Sequence, residues 1–450
     1  MLVLGAFFLI LSAIGSHAAP QRPNILFVVA DDLRADALGC AGNKIVQTPH
    51  LDALAKRGTL FRNAFVTTSI CAVSRASLFS GQYARRHGIE DFKTGFTAAQ
   101  WSNTYPALLR TVGYRTGFIG KFGVGNVMPT NAFDYWEGFP GQGRYFANSN
   151  DRTHLTRDMG DSALRFLREN STQPFCLSIS FKAPHAQDEN ATRPFPPDAA
   201  DESLYARVRI PAPKNYSTQA FKRLPAFAQN SEGHARWQRR FATAEMRERN
   251  VKDYYRLVTG IDREVGRIIG ALEELGLSTN TVIVFTSDNG FFLGERGLSD
   301  KFLMYEESIR VPLIVFDPRA PKKARGQKRE EMVLNIDLAP TVLNWAGVSV
   351  PKTMQGVSLL AVVRGEKPLW RTDWFYEHHY SYGGRIPESE GVRTTEWKYI
   401  RYMGVTPVVE ELYDLRRDPS EANNLAGSRS HARRLGDLQR RWQELRDECR

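Results

Sequence analysis

Four short strand-forming runs, each giving way to polar residues at its carboxyl end, constrain this chain more than any other feature. They are Asn24 to Ala30, Thr116 to Gly120, Phe175 to Phe181 and Thr281 to Thr286, and helical patterns lie between them. Strand-length apolar runs alternating with helices specify an α/β domain built on a largely parallel central sheet sandwiched by helices. In such a sheet all carboxyl ends share one edge, where open α/β folds place their ligands. The residues at those ends are Asp31-Asp32, Lys121, Lys182-Ala183-Pro184-His185 and Ser287-Asp288-Asn289. Four chemically loaded segments are therefore expected to converge.

The rest of the chain fits around that sheet. From Tyr254 to Leu275 the apolar positions Leu257, Val258, Ile261, Val265, Ile268, Ile269 and Leu272 recur at helical spacing, with Gly276 placed to end the helix. Between His185 and Val251 the sequence is polar and rich in proline, which predicts an irregular excursion over the site. From about Trp370 the pattern changes to short strands followed by a charged helix, a smaller α+β domain. With 450 residues the chain is long enough for both. The domain reading is residues 1–18, a signal peptide; 22–365, the catalytic domain; and 366–450, the C-terminal subdomain.

The signal peptide rests on the apolar run Leu2 to Ile14 followed by Ser16-His17-Ala18, a small-x-small cleavage pattern. An uncleaved anchor or a buried N-terminal strand are the alternatives. No later stretch resembles a membrane span, so the chain is expected to be exported, to a periplasmic, extracellular or lumenal space, without stable membrane insertion. The formal charge of +11 is spread among 49 acidic residues with no sustained basic block. Nucleic acid is therefore not the expected partner, and sulfated or phosphorylated substrates are as natural. The four cysteines, Cys40, Cys71, Cys176 and Cys449, show no C-x-x-C spacing, which argues against a zinc site or a dense disulfide scaffold. If Cys71 is used chemically, at most one disulfide can form among the others.

Adjacent carboxylates at one strand end, Asp31-Asp32, repel unless a cation or hydrogen bonds compensate. With Asp288-Asn289 at a second strand end they form an oxygen-only donor set, which favours calcium or magnesium over zinc. The alternative is that these are turn and helix-cap residues. Cys71 opens a run, Cys71-Ala72-Val73-Ser74-Arg75, with a short helix expected from near Ser74 to a cap at Gly81. A cysteine at a helix N-terminus suits a nucleophile facing an anion, and Arg75 one turn on has the fork geometry for sulfate or phosphate oxygens. A lone cysteine is more often a small buried hydrophobe. Lys121 and His185, read alone, are more often solvated than catalytic. Lys182, His378 and His379 are weaker candidates for a substrate pocket, with surface placement the better reading.

Cys71 to Arg75 resembles the C-x-P-S-R signature of the sulfatase family, whose cysteine is oxidised to formylglycine. The resemblance runs along nearly the whole chain after residue 22. Pro23-Asn24-Ile25 through Asp31-Asp32, Thr48-Pro49-His50-Leu51-Asp52, Gly120-Lys121, Ala183-Pro184-His185, Ser287-Asp288-Asn289-Gly290, Asp300-Lys301 and Glu411-Leu412-Tyr413-Asp414 are similar to family motifs in the same order. It implies an alkaline-phosphatase-like α/β domain and one Ca2+ ion held by Asp31, Asp32, the modified Cys71, Asp288 and Asn289. It implies hydrolysis of a sulfate ester, of a small molecule or glycan, by the hydrated aldehyde at position 71. Arg75, Lys121 and Lys301 would surround the sulfate, and His185 would touch it or protonate the leaving oxygen. Formylglycine-generating machinery is an implied partner.

Three positions depart from the pattern: Val73 where the family has proline, Gly123 where it has histidine, and Arg296 where Gly-Glu-His-Gly is common. They keep two other readings in view. One is a phosphate or phosphonate monoester hydrolase on the same scaffold, the other a non-catalytic protein that binds sulfated glycans.

Overall fold

The computed structural model describes residues 22–148, 153–169 and 173–450, so the expected signal peptide lies outside the described residues. The four runs become β1 (Asn24–Asp31), β3 (Arg115–Lys121), β5 (Phe175–Pro184) and β6 (Thr281–Ser287). With β2 (Thr59–Phe65) and β4 (Tyr135–Phe139) and two later strands they form one eight-stranded sheet. Its spatial order is Gln327–Leu334, β2, Arg310–Phe316, β6, β1, β5, β3, β4. Arg310–Phe316 runs antiparallel to both its neighbours and every other pairing is parallel. β6, β1, β5 and β3 are contiguous, which brings the four loaded ends together.

Every residue of β1 is buried, as a strand covered on both faces must be. Leu26 and Val28 face a core shared with the helices Leu155–Glu169 and Ala244–Glu274, while Ile25, Phe27 and Val29 face one shared with Cys71–Ser80, Tyr105–Thr111 and Leu338–Trp345. The alternation is the strand's two-residue period dividing its side chains between two helical layers. The long helix begins ten residues earlier than its apolar spacing indicated, at Ala244, because the Thr243 side chain caps it by accepting from the Met246 N–H. The expected excursion is partly helical, including Glu232–Arg240 capped by Ser231.

The C-terminal part is a four-stranded antiparallel sheet, Asp373–His378, Ser389–Thr394, Trp397–Tyr402 and Val409–Asp414, with the helix Ala432–Glu448 packed on it. It is joined to the large sheet through apolar contact, with the Phe65 and Trp374 ring centroids 5.3 Å apart. All four cysteines are unpaired. Among the described residues no helix is long and apolar enough to cross a membrane.

Candidate active site

Beyond the end of β1 the chain turns at Asp32 with φ 67°, a left-handed conformation that Asp tolerates better than most residues. The Asp32 N–H donates to Asp288 Oδ1 at 3.1 Å, tying this turn to the end of β6. The helix that carries Cys71 starts at Cys71 itself, three residues earlier than expected, and ends at Gly81 with φ 66°. Its first residue is thereby brought against β1, where the Cys71 thiol donates to Asp31 Oδ1 at 3.2 Å.

Three cations close the ring, Arg75 from the same helix and Lys121 and Lys301 from two further segments. Lys121 Nζ, at the end of β3, lies 2.5 Å from Asp31 Oδ2 and 2.7 Å from Gln142 Oε1. Lys301 Nζ donates to both oxygens of Asp32, at 2.6 and 2.8 Å. Arg75 Nε donates to Asp288 Oδ2 at 2.8 Å and Nη1 donates to both the Lys121 carbonyl and the Ser180 hydroxyl, while Nη2 has no hydrogen-bond partner among the described residues. His185 Nε2 stands 3.6 Å from Asp32 Oδ2, while Nδ1 donates to the Ala186 carbonyl at 2.5 Å. Asn289 donates to Asp32 and Asp288 at 2.8 and 2.9 Å. The structure thus brings together every site residue expected from the sequence, and all are buried.

Burial sets the protonation of this cluster, and the neighbours modify it. Desolvation pushes Asp32 up to about 8, with Asp31 and Asp288 adding to the rise and Lys301 opposing it. For Asp31 desolvation also raises the pKa, but Lys121, His185, Arg75 and Lys301 outweigh it and hold the carboxyl well below its ordinary value. Burial, helped by Asp31, pushes the Cys71 thiol up to about 12, so the unmodified side chain is a protonated thiol and a poor nucleophile at neutral pH. Burial likewise drives His185 well below its ordinary value. It is neutral, with its proton on Nδ1, where the Ala186 carbonyl requires it.

A hard cation fits this donor set. The carboxylate oxygens of Asp31 and Asp32, Cys71 Sγ and a ring nitrogen of His185 lie within 4.8 Å of one another. Asn289 Oδ1 is buried with no hydrogen-bond partner among the described residues, an oxygen that a cation would engage. Asp288 and Asn289, which hydrogen-bond with the same turn, add further oxygen donors of the kind a hard divalent cation takes.

Residues 23–348 match the family model described as Sulfatase, and residues 294–448 match one described as N-sulphoglucosamine sulphohydrolase, C-terminal. The chain belongs to the sulfatase family. It is a sulfuric ester hydrolase. It is 31% identical to the N-acetylglucosamine-6-O-sulfatase of Bacteroides thetaiotaomicron over 96% of this chain and 88% of that protein. A solved structure in complex with its substrate, D-glucosamine-2-N,6-O-disulfate, superposes with TM-score 0.81 at 28% identity, covering 95% of this chain and 98% of that one. The phosphonate monoester hydrolase of Agrobacterium radiobacter superposes with TM-score 0.77 at 23% identity, covering 95% and 96%, a likeness of fold.

In this sulfatase the three departures sit in well-defined surroundings. A Cβ on Gly123, whose φ is +75°, would come within 2.8 Å of Arg75 Cδ, so the arginine occupies the space a side chain there would need. Arg296 has its partners outside the Cys71 cluster. It pairs with Glu307 at 3.0 Å, lies over the Tyr305 ring at 4.2 Å and donates to the Ser420 carbonyl, fastening the catalytic domain to the C-terminal part. Val73 packs with Ile70, Ala84, Phe302 and Ile386 beneath the substrate cavity.

Two surface expectations are corrected. Lys182 is 1% exposed, its ammonium 5.0 Å from the Tyr145 ring and without a hydrogen-bond partner among the described residues, and burial with Lys121 nearby lowers it to about 8. His378 is wholly buried, and burial lowers it to about 3. A residue's neighbours in sequence do not reveal what folds over it, which is why both were placed outside. A cavity of about 330 Å³ opens beside Cys71, His185 and Lys301. Its other walls come from the 186–250 excursion, as Asp188 and Arg236, and from the C-terminal part, as Tyr380 and Tyr382. The excursion was expected to lie over the site, but its individual residues, like Phe92 and Gln142 elsewhere in the chain, carried no local signal.

Proposed function

We propose that this sulfatase hydrolyses the sulfate ester of a sugar, with formylglycine formed from Cys71 as nucleophile and a calcium ion held by Asp31, Asp32, Asp288, Asn289 and position 71. The observation that carries this is the closed ring in which Asp31, Asp32 and Asp288 face Lys121, Lys301 and Arg75 around Cys71 at one sheet edge. The names of the relatives acting on sulfated glucosamine support the sugar. The Cys71 thiol, pushed up to about 12, is unsuited to attack, which favours a modified nucleophile.

Formylglycine would supply a hydroxyl of the hydrated aldehyde, and calcium would neutralise charge on the sulfate oxygens. The chain's own groups do the rest. Lys121, Lys301 and Arg75 hold fixed positive charge where the transferring sulfuryl group sits, already oriented by their carboxylates, so little reorganisation accompanies the reaction. His185 lines the cavity, and the Ala186 carbonyl fixes its ring by holding the Nδ1 proton, which leaves Nε2 as the nitrogen able to take one up. A substrate anion beside it favours protonation there and allows it to give that proton to the departing alcohol oxygen.

Mass analysis of the Cys71 peptide from the native host, coupled to sulfate release from sulfated monosaccharides, tests the proposal. An aldehyde at position 71 and sulfate release that a chelator abolishes are expected. Protein carrying the aldehyde and calcium yet inert to a broad panel of sulfate esters would sink it. Faster turnover of an aryl phosphate than of its matched aryl sulfate would instead favour the phosphate or phosphonate hydrolase. An unmodified cysteine with tight sulfated-glycan binding would favour the non-catalytic reading. Export rests on residues 1–18, and N-terminal sequencing of the mature protein checks it.

A further inference from the structure

Lys121 is wholly buried and does not line the cavity beside Cys71, whereas Gln142, to which it is bonded, does. Lys121 Nζ donates to Gln142 Oε1 at 2.7 Å and lies 2.5 Å from Asp31 Oδ2, and Asp31 Oδ1 accepts from the Cys71 thiol at 3.2 Å. Gln142 is thus the outermost of four side chains in a line of contacts that begins at Cys71.

The chemistry of the pair fixes which end of the amide is free. An ammonium can only donate, so the amide oxygen is held by Lys121 and both N–H groups of Nε2 remain, with no acceptor among the described residues. A cation bonded to an amide oxygen polarises the amide and strengthens its N–H groups as donors. The charge of Lys121, which burial keeps from the cavity, is passed in this way to a neutral group on the cavity wall. Other polar groups of that wall are already committed. Lys301 gives two of its three donors to Asp32, Arg236 sits among Glu232, Asp300 and Asp188, and His185 gives its proton to the Ala186 carbonyl.

The loop is shaped to hold this side chain in place. Gly141 and Gly143, on either side of it, have φ 65° and 64°, a left-handed conformation that favours glycine. A Cβ on Gly143 would come within 2.5 Å of the Phe139 ring at the end of β4, so the turn is closed down on that ring. Two residues further, the Tyr145 N–H donates to Gln187 Oε1 at 3.0 Å and ties the loop to the excursion.

We propose that Gln142 is a catalytic residue of this sulfatase, its carbonyl held by Lys121 and its amide donating to an oxygen of the bound sulfuryl group. It orients that group and carries part of the Lys121 charge to it. The proposal rests on the sulfuric ester hydrolase reading above.

The test is calorimetric binding of inorganic sulfate to the calcium-loaded protein with Cys71 unmodified, so that no turnover intervenes. Gln142→Ala removes donor and acceptor together, whereas Gln142→Glu keeps an acceptor for Lys121 and loses the donor. Gln142→Ala is expected to bind sulfate about tenfold more weakly than wild type, the scale of one hydrogen bond to a charged group. Gln142→Glu is expected to bind more weakly still, because a carboxylate oxygen then meets the anion. Gln142→Met replaces Gln142→Ala if that variant does not fold, and the alanine or methionine result decides alone if the glutamate variant does not. Unchanged binding by Gln142→Ala overturns the proposal. So does wild-type affinity in Gln142→Glu, which would show that the residue only supports Lys121, and so does a wild type that binds no sulfate. The sulfatase reading fails in a different experiment, if formylglycine-bearing wild type releases no sulfate from aryl sulfates.

Discussion

Lys301 holds both carboxylate oxygens of Asp32, at 2.6 and 2.8 Å, across 269 residues of sequence. Both side chains are buried, so each is the other's main electrostatic compensation. Lys301→Met leaves Asp32 without it. The expected outcome is a fall in kcat of about 10²–10³ on an aryl sulfate, and a loss of about 3–5 kcal/mol in urea unfolding. A variant as active as wild type would show that the lysine only supports the fold.

Calcium should stabilise the protein through the same carboxylates. At a free ion concentration of a hundred times its Kd, a ligand bound only to the native state adds about 2.7 kcal/mol. Thermal unfolding with chelator and then with excess calcium is expected to show a reversible rise in Tm. An unchanged Tm would remove the ion from Asp31, Asp32, Asp288 and Asn289.

Introducing the family's usual histidine should harm this chain. Gly123→His forces a side chain into the space of the Arg75 methylene next to Nε, in a backbone conformation that favours glycine. A destabilisation of about 1–3 kcal/mol is expected, with slower sulfate release because Arg75 is displaced from Asp288. Faster release would mean that the histidine's function is missing here rather than replaced.

Arg296 should matter for stability and not for chemistry. Arg296→Ala breaks a buried pair with Glu307 and frees the Ser420 segment, at a cost of about 3–5 kcal/mol. At temperatures where the variant stays folded, its kcat is expected within about twofold of wild type, well under the 1.4 kcal/mol of a tenfold effect.

His379 makes stability depend on alkaline pH. It lies between Glu90 at 3.0 Å and Glu390 at 3.3 Å, and although burial opposes the charge, hydrogen bonds to those carboxylates lift it to about 10. The unfolded value is about 6.5. The native state holds the proton more tightly, so this stabilisation is fully present below about 6.5 and disappears as pH rises through about 10. Unfolding of wild type and His379→Gln should differ at pH 6 and converge above pH 10. A gap that persists there would assign the histidine a packing role.

Much of the site was legible because strand ends are local signals. Asp31-Asp32 and Asp288-Asn289 follow apolar runs directly, and once those runs are neighbours in a parallel sheet their polar ends must meet. The helix Cys71–Ser80 was legible from its Gly81 cap, although its start was not, because no side chain of the Ile70 N-cap marks it. Asp188, Arg236, Tyr380 and Tyr382 were not individually legible. Their pairing depends on how a capped helix in the excursion and the edge of the second sheet fold over the cavity, and neither spacing nor residue type records that.

The sequence by itself determined the parallel α/β architecture, the edge where chemistry collects and the family to which the chain belongs. Periodicity, strand-end polarity and ordered motifs are properties of neighbours along the chain. The tertiary structure alone decided which charges meet: that Lys301 belongs to Asp32 and Lys121 to Asp31, that Arg75 fills the space beside Gly123, that Lys182 is buried, and that Arg236 sits among Glu232, Asp300 and Asp188. Ion pairing and burial depend on through-space distance and loss of water, and those exist only once segments hundreds of residues apart are packed together.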